Sequence, residues 1–151
     1  MRLTVNGVAR RLRSPPLTPL LDALRDELGV LSPKPGCRQG GCGACTVLVD
    51  GEPRRSCLTA LATIPGAEVT TVEGLVAPGE LAPVQQAFLD GYASQCGYCT
   101  PGMVLAAHAM LARHGAELSA EDVREGLAGH VCRCTGYVNI ERAVVAAAEA
   151  R

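Results

Sequence analysis

Cys37, Cys42 and Cys45 stand in a C-x4-C-x2-C spacing, Cys57 follows, and glycines fill the gaps, in the run Gly36-Cys37-Arg38-Gln39-Gly40-Gly41-Cys42-Gly43-Ala44-Cys45. Three closely spaced thiols with a fourth further along are a donor set for a [2Fe–2S] cluster, which takes four thiolates. A loop around such an anionic centre must turn sharply and point backbone N–H groups at sulfur. Gly36, Gly40, Gly41 and Gly43 provide that freedom. Zinc is the competing reading, but zinc sites usually pair two short C-x2–4-C clips. Here a longer gap precedes the short one and a lone distal cysteine closes the set, which favours iron and sulfide.

A second set is spaced differently. Cys96-Gly97-Tyr98-Cys99 is a C-x2-C pair and Cys132-Arg133-Cys134 a C-x-C pair. Each precedes a helical pattern, and the entrances Cys99-Thr100-Pro101-Gly102 and Cys134-Thr135-Gly136-Tyr137 echo each other as a weak internal repeat. Helix N-termini carry partial positive charge and unpaired N–H groups, so two of them aimed at one anionic cluster would stabilise it and raise its potential. A structural zinc site of four cysteines is the alternative. C-x-C sits awkwardly on a zinc tetrahedron, and the iron–sulfur loop in the same chain favours a second [2Fe–2S] cluster.

Both sets need elements to position them. Leu3–Val5 and Val8–Leu12 flank Asn6-Gly7, a strong hairpin signal because both central residues of a type I′ turn need φ > 0. Thr18 is placed to cap a helix in which Leu20, Leu21, Leu24 and Leu28 recur at helical spacing until Gly29. After the first cysteine loop, Thr46–Val49 reads as a strand that turns at Asp50-Gly51 into a stretch returning Cys57, and Glu68–Val72 reads as a last strand. A small mixed sheet with one helix resembles the β-grasp fold of plant-type ferredoxins. Residues 73–80, with Gly74, Pro78 and Gly79, read as a connection.

Beyond it the pattern is helical. Pro83–Tyr92 places Val84, Ala87 and Phe88 on one face. Thr100-Pro101 reads as a cap and first-turn proline for a long apolar helix ending near Arg113. Ser119 and Asp122 form a capping-box start for the next helix, and a final one runs from about Tyr137 to Ala150. The expected fold class is α+β, with a β-grasp [2Fe–2S] ferredoxin domain over 1–76 and an all-α four-helix [2Fe–2S]-binding domain over 77–151.

Composition excludes several functions. With 151 residues, each half is too small to bury a large core, so metal cross-links matter for folding. Aromatics make up only 3% and tryptophan is absent, so the cores must be built from Ala, Val and Leu. A net charge of −1 without a basic block argues against nucleic acid. The longest apolar run, Met103–Ala112, is broken by His108 and is far too short to span a bilayer. The N-terminus passes directly into strand alternation, with no apolar leader or twin arginine. The chain is therefore expected in the cytoplasm, where its 8 cysteines read as metal ligands rather than disulfides.

Four motifs in order, Cys37–Val47 (CRQGGCGACTV), Val84–Phe88 (VQQAF), Gln95–Met103 (QCGYCTPGM) and Cys132–Tyr137 (CRCTGY), resemble the small iron–sulfur subunit of the molybdenum hydroxylases. That group includes xanthine dehydrogenase, aldehyde oxidoreductase and aerobic carbon monoxide dehydrogenase. The resemblance covers nearly the whole chain. It implies that Cys37, Cys42, Cys45 and Cys57 hold the cluster farther from molybdenum, and that Cys96, Cys99, Cys132 and Cys134 hold the nearer one. It also implies that Gln95 and Cys134 lie against molybdopterin on a separate large subunit, with electrons leaving the far cluster for FAD on a medium subunit or for another acceptor. Ala82 and Val138 depart from the residues commonest in the family, histidine and glutamine, and lie outside the ligand set.

His108, His114 and His130 are read as structural, because a complete set of eight cysteines leaves no place for a Rieske-type ligand. Arg133 between two ligands reads either as a tuning residue or as a surface charge. The glycine-rich loop lacks the G-K-[ST] ending of a phosphate loop, and no nucleophile–base constellation occurs, so substrate chemistry belongs elsewhere. The role expected is an electron-transfer subunit. The alternative is a structural or redox-sensing metal protein, carrying zinc or a single cluster and acting through partners.

Overall fold

Turn chemistry and alternation build the N-terminal sheet as the residues dictate. In the computed structural model, which describes residues 1–150, β1 (Arg2–Val5) and β2 (Val8–Arg11) pair antiparallel around a turn with Asn6 at φ 50° and Gly7 at φ 75°. β3 (Thr46–Val49) and β4 (Glu52–Arg55) form a second hairpin, and β5 (Glu68–Thr70) lies between the two, parallel to β1 and antiparallel to β3. The order is β2-β1-β5-β3-β4. This is the β-grasp arrangement. The last strand ends at Thr70 rather than Val72, and Val72–Gly74 forms a 3-10 turn.

Helix α1 (Leu20–Asp22) opens at Pro19 and continues as a π-helical turn over Ala23–Glu27. The expected Thr18 cap does not form. Its place is taken by tertiary bonds, with Leu20 N–H donating to Thr59 O at 2.7 Å and Leu21 N–H to Ser56 O at 3.1 Å. These bonds tie the helix to the segment that carries Cys57. Leu3, Val5, Leu20, Leu24, Val47 and Val69 fill the core beneath the sheet. Leu21 is set apart, buried with Cys45 and Cys57.

The second half is four helices: α2 (Pro83–Asp90), α3 (Thr100–His114), α4 (Ala120–Leu127) and α5 (Val138–Glu149). The capping box of α4 forms as expected, with Asp122 N–H donating to Ser119 Oγ at 3.2 Å and Ser119 N–H to Asp122 Oδ2 at 2.9 Å. The N-cap of α3 is Cys99 rather than Thr100, so a cysteine ends the loop and starts the helix. The core is Val84, Phe88, Met103, Leu111, Val123, Ile140 and Val144, with small alanines between. Val72, Leu75 and Val76 pack against it, which fastens the connecting segment to the helices.

α3 joins the halves, packing on α4 within its own layer and on β3 and β4 across the seam. A Cβ at Gly102 of this helix would lie 2.4 Å from Gly43 O, so the helix backbone rests directly on the first cysteine loop. Among the described residues no helix is long and apolar enough to cross a membrane.

Candidate metal centres

The first loop folds around its own thiols. Gly40 at φ 82° and Gly43 at φ 73° make the turns, while Gly36 is needed for space, since a Cβ there would stand 2.7 Å from Cys42 Sγ. Gly41 has an ordinary φ and open space around it, so the expectation that it shapes the loop fails. Cys37 Sγ accepts N–H bonds from Gln39 at 3.3 Å and Cys42 at 3.4 Å. Cys45 and Cys57 are buried against Leu21, and Ser56, next to Cys57, is anchored by its hydroxyl donating to Cys45 O at 2.6 Å.

The second set is assembled from two loops of the helical half. Cys99 is buried at the head of α3, and Cys96 is exposed before it. The Cys132-Arg133-Cys134 loop is held by Thr135, whose N–H and hydroxyl donate to Cys132 Sγ at 3.4 and 3.1 Å. Tyr137, at φ 69°, folds back over this loop, its hydroxyl accepting from Cys132 N–H at 2.8 Å and donating to His130 O at 3.1 Å. Tyr137 separates the loop from α5, so the two entrances differ: α3 follows Cys99 directly, and α5 begins only at Val138.

All eight cysteines are free, and their thiols meet in pairs: Cys37 with Cys42, Cys45 with Cys57, Cys96 with Cys134, and Cys99 with Cys132. Among the described residues no three His, Cys, Asp or Glu side chains close round a single ion. The pairs of each set also act on one another, Cys57 with Cys37, Cys99 with Cys96 and Cys134 with Cys132, so each set gathers four thiols.

Burial and neighbouring groups set the thiols apart in acidity. The N–H groups of Gln39 and Cys42 bring the Cys37 thiol down to about 6. Burial, and then the neighbouring Cys45 thiol, push Cys57 up to about 11. Burial and Cys132 push Cys99 up to about 12. The Cys96 thiol raises Cys134, whereas at Cys132 burial is outweighed by the Thr135 donors and the thiol falls below its ordinary value. A second thiolate beside a first is opposed wherever no cation stands between them. Bound iron removes that opposition, because coordination deprotonates a thiol outright.

The two sets lie side by side. Cys42, Cys96, Cys99, Cys132 and Cys134 line one apolar hollow of about 170 Å³, and Val131 N–H donates to Cys42 O at 2.9 Å. A single backbone hydrogen bond therefore joins the loops of the two centres. Gln95 is exposed beside exposed Cys96, and Arg133 is exposed on the opposite loop.

Residues to which the sequence assigned no part in the cysteine sites sit in the same seam. Buried His130 presents Nε2 to Thr46 Oγ1 at 3.1 Å and to Arg55 Nη1 at 3.3 Å. Arginine only donates, so Nε2 accepts and the ring proton lies on Nδ1, which is buried without a hydrogen-bond partner among the described residues. Burial first, and the Arg55 charge second, lower His130 to about 4, which keeps it neutral. The structural role expected for this histidine is the one it has. The sequence carries no signal linking Arg55 to His130; only the position of each two residues before a cysteine hints at them.

Comparison with known proteins finds two cluster-binding domains in succession. Residues 3–70 match the family described as 2Fe-2S iron-sulfur cluster binding domain, and residues 71–145 match the [2Fe-2S] binding domain. The xanthine dehydrogenase iron-sulfur-binding subunit of Escherichia coli O157:H7 is 48% identical over 143 residues, covering 94% of this chain and 89% of that protein. The nicotinate dehydrogenase small FeS subunit of Eubacterium barkeri is 41% identical over 149 residues, covering 99% and 94%. Among solved structures, quinoline 2-oxidoreductase from Pseudomonas putida 86 aligns with a TM-score of 0.92 at 44% identity, over 99% of this chain and 94% of the matched one. The aldehyde oxidoreductase of Desulfovibrio desulfuricans aligns with a TM-score of 0.92 at 45% identity, over 97% of this chain but 16% of that longer one. Eight paired thiols in two adjoining loops, two matched cluster-binding domains and near full-length relatives together make this chain a member of the small iron–sulfur subunits of the molybdenum hydroxylases.

Proposed function

We propose that this chain is the electron-transfer subunit of a molybdenum-dependent hydroxylase or dehydrogenase, taking electrons from molybdopterin on a large subunit and delivering them to FAD on a medium subunit or to another acceptor. Cys37, Cys42, Cys45 and Cys57 hold the far [2Fe–2S] cluster in the domain 1–76, and Cys96, Cys99, Cys132 and Cys134 hold the near one in the domain 77–151. When bound, the clusters supply one-electron acceptor and donor chemistry. Substrate oxidation belongs to the large subunit.

The observation that carries this reading is the adjacency of two paired thiol sets across one backbone hydrogen bond, Val131 N–H to Cys42 O at 2.9 Å. The residues of the chain do three things there. Backbone and Thr135 donors stabilise thiolate at Cys37 and Cys132. Burial keeps water from Cys45, Cys57 and Cys99. Docking of α3 on the first loop brings the two sets together.

The faces of the chain support the choice of partners. Gln95, Cys96 and Cys134 are exposed beside Tyr98 (45% exposed) and Val131 (55%), a surface for the large subunit on which Gln95 and Cys134 contact the pterin. Leu58, next to Cys57 and 64% exposed, together with exposed Arg38 and Gln39, offers the other end to the FAD subunit. A cytoplasmic location fits eight thiols that must stay reduced until they are loaded.

The test is iron and acid-labile sulfide per chain on anaerobically purified protein, followed by low-temperature EPR after dithionite. Two clusters of two irons require four irons, four sulfides and two distinguishable S = 1/2 signals per chain. Zinc without iron in folded protein would overturn the electron-transfer reading.

A further inference from the structure

We propose that Arg55 is a positioning residue for electron transfer: its guanidinium fastens the far-cluster loop to the near-cluster loop and so sets the separation and mutual orientation of the two centres. The inference rests on the two-cluster reading above.

Arg55 ends β4, and four of its five N–H donors are used. Nε donates to Gly40 O at 3.2 Å, Nη1 to Thr46 Oγ1 at 2.6 Å and to His130 Nε2 at 3.3 Å, and Nη2 to Gly129 O at 2.8 Å. Gly40 lies between Cys37 and Cys42, and Gly129 leads into Cys132. One planar cation thus spans main-chain carbonyls of both cysteine loops. Its acceptors are neutral, so the arrangement is a clasp rather than an ion pair.

Thr46 extends the clasp, its hydroxyl donating to Gly43 O at 2.7 Å, between Cys42 and Cys45. The His130 ring is pressed against Gly43, where a Cβ would come within 2.5 Å of Cδ2. The seam is therefore tight enough for a small displacement of Arg55 to move one loop against the other. Lysine, whose three donors sit on one nitrogen, cannot reproduce the bonds of a planar fork to acceptors on both sides of the seam. Tunnelling falls steeply with separation, so loosening this seam slows transfer without touching a ligand.

The full chain is loaded with iron and sulfide and compared as wild type, R55M and R55K. Wild type with fewer than four irons or one S = 1/2 signal overturns the two-cluster reading itself, independently of Arg55. With both signals present, R55M is expected to keep its iron content and the g values of each cluster while the dipolar splitting between the reduced clusters changes. In the assembled holoenzyme, substrate-driven reduction of the far cluster is expected to slow by about tenfold or more, with near-cluster reduction unchanged. R55K should behave like R55M. Unchanged splitting and rate in R55M, or full restoration by lysine, overturns the proposal. If R55M loses a cluster, R55K decides: altered splitting at full iron content supports the clasp, and unaltered splitting refutes it. Cluster loss in both variants makes Arg55 a folding residue and overturns its positioning role.

Discussion

Alanine at Gly43 should damage the junction of the two halves far more than an ordinary glycine replacement. Gly43 has φ 73°, where an L side chain costs about 1 kcal/mol. Its new Cβ would meet His130 Cδ2 at 2.5 Å, Gly129 O at 2.7 Å and His130 Cγ at 2.7 Å. Neither neighbour is the loose end of a flexible chain, since Arg55 holds the Gly129 carbonyl at 2.8 Å and the His130 ring at 3.3 Å. Overpacking of this kind adds about 1–3 kcal/mol, for a total of about 2–4 kcal/mol. Gly51 is the control, with φ 82° and nothing within 4 Å of its Cβ, so Gly51→Ala carries the backbone cost alone. In a chain of this length 1 kcal/mol moves Tm by about 2–4 °C, so Gly51→Ala should lose about that much and Gly43→Ala about two to four times as much. Both variants are scanned with clusters bound, at one scan rate because cluster loss makes unfolding irreversible, and followed by visible absorbance and far-UV circular dichroism. Equal shifts would show that His130 and Gly129 move aside freely, and would refute the tight seam.

Cys42→Ser should remove the EPR signal of the far cluster and leave the near one, and Cys134→Ser should do the reverse; the opposite pattern would exchange the assignment of domains to clusters. Leu21→Ala opens a cavity beside Cys45 and Cys57 and should cost about 2–5 kcal/mol. Denaturant-induced bleaching should then show the far cluster lost earlier than in wild type and before the near one; bleaching of both clusters together would count against a local effect. At Glu73, burial raises the carboxyl but the Ser32 and Thr71 hydroxyls that donate to it prevail, so its folded pKa lies below the unfolded value of about 4.3. The resulting stability is present above that pH and is lost as pH falls through the folded value. Urea midpoints of wild type and Glu73→Gln should therefore differ at neutral pH and converge as the medium becomes more acidic than about pH 4; a constant gap would refute the assignment.

Local chemistry was legible wherever one short segment decides its own conformation. Asn6-Gly7 and Asp50-Gly51 make their hairpins because positive φ at those residues is a property of the turn itself. Ser119 and Asp122 cap α4 because both partners lie within one helical turn. Thr18 failed as a cap for the opposite reason. Donors at the start of α1 are satisfied by Ser56 and Thr59, and a distant carbonyl that displaces a local one leaves no trace in the spacing. Gly41 looked like its neighbours in the loop, but Gly36, Gly40 and Gly43 are held by crowding or by φ, and Gly41 by neither.

By itself the sequence determined the grouping of eight cysteines into two sets, the α+β order and the family, because residue type and short-range spacing are written along the chain. Tertiary structure alone decided which thiol faces which, and that Cys42 of the first set lines the hollow of the second. It also decided that Arg55, Thr46 and His130 close the gap between them. Those contacts join segments from opposite halves of the chain, and they exist only because the close approach of Gly102 and Gly43 lets α3 settle on the first cysteine loop.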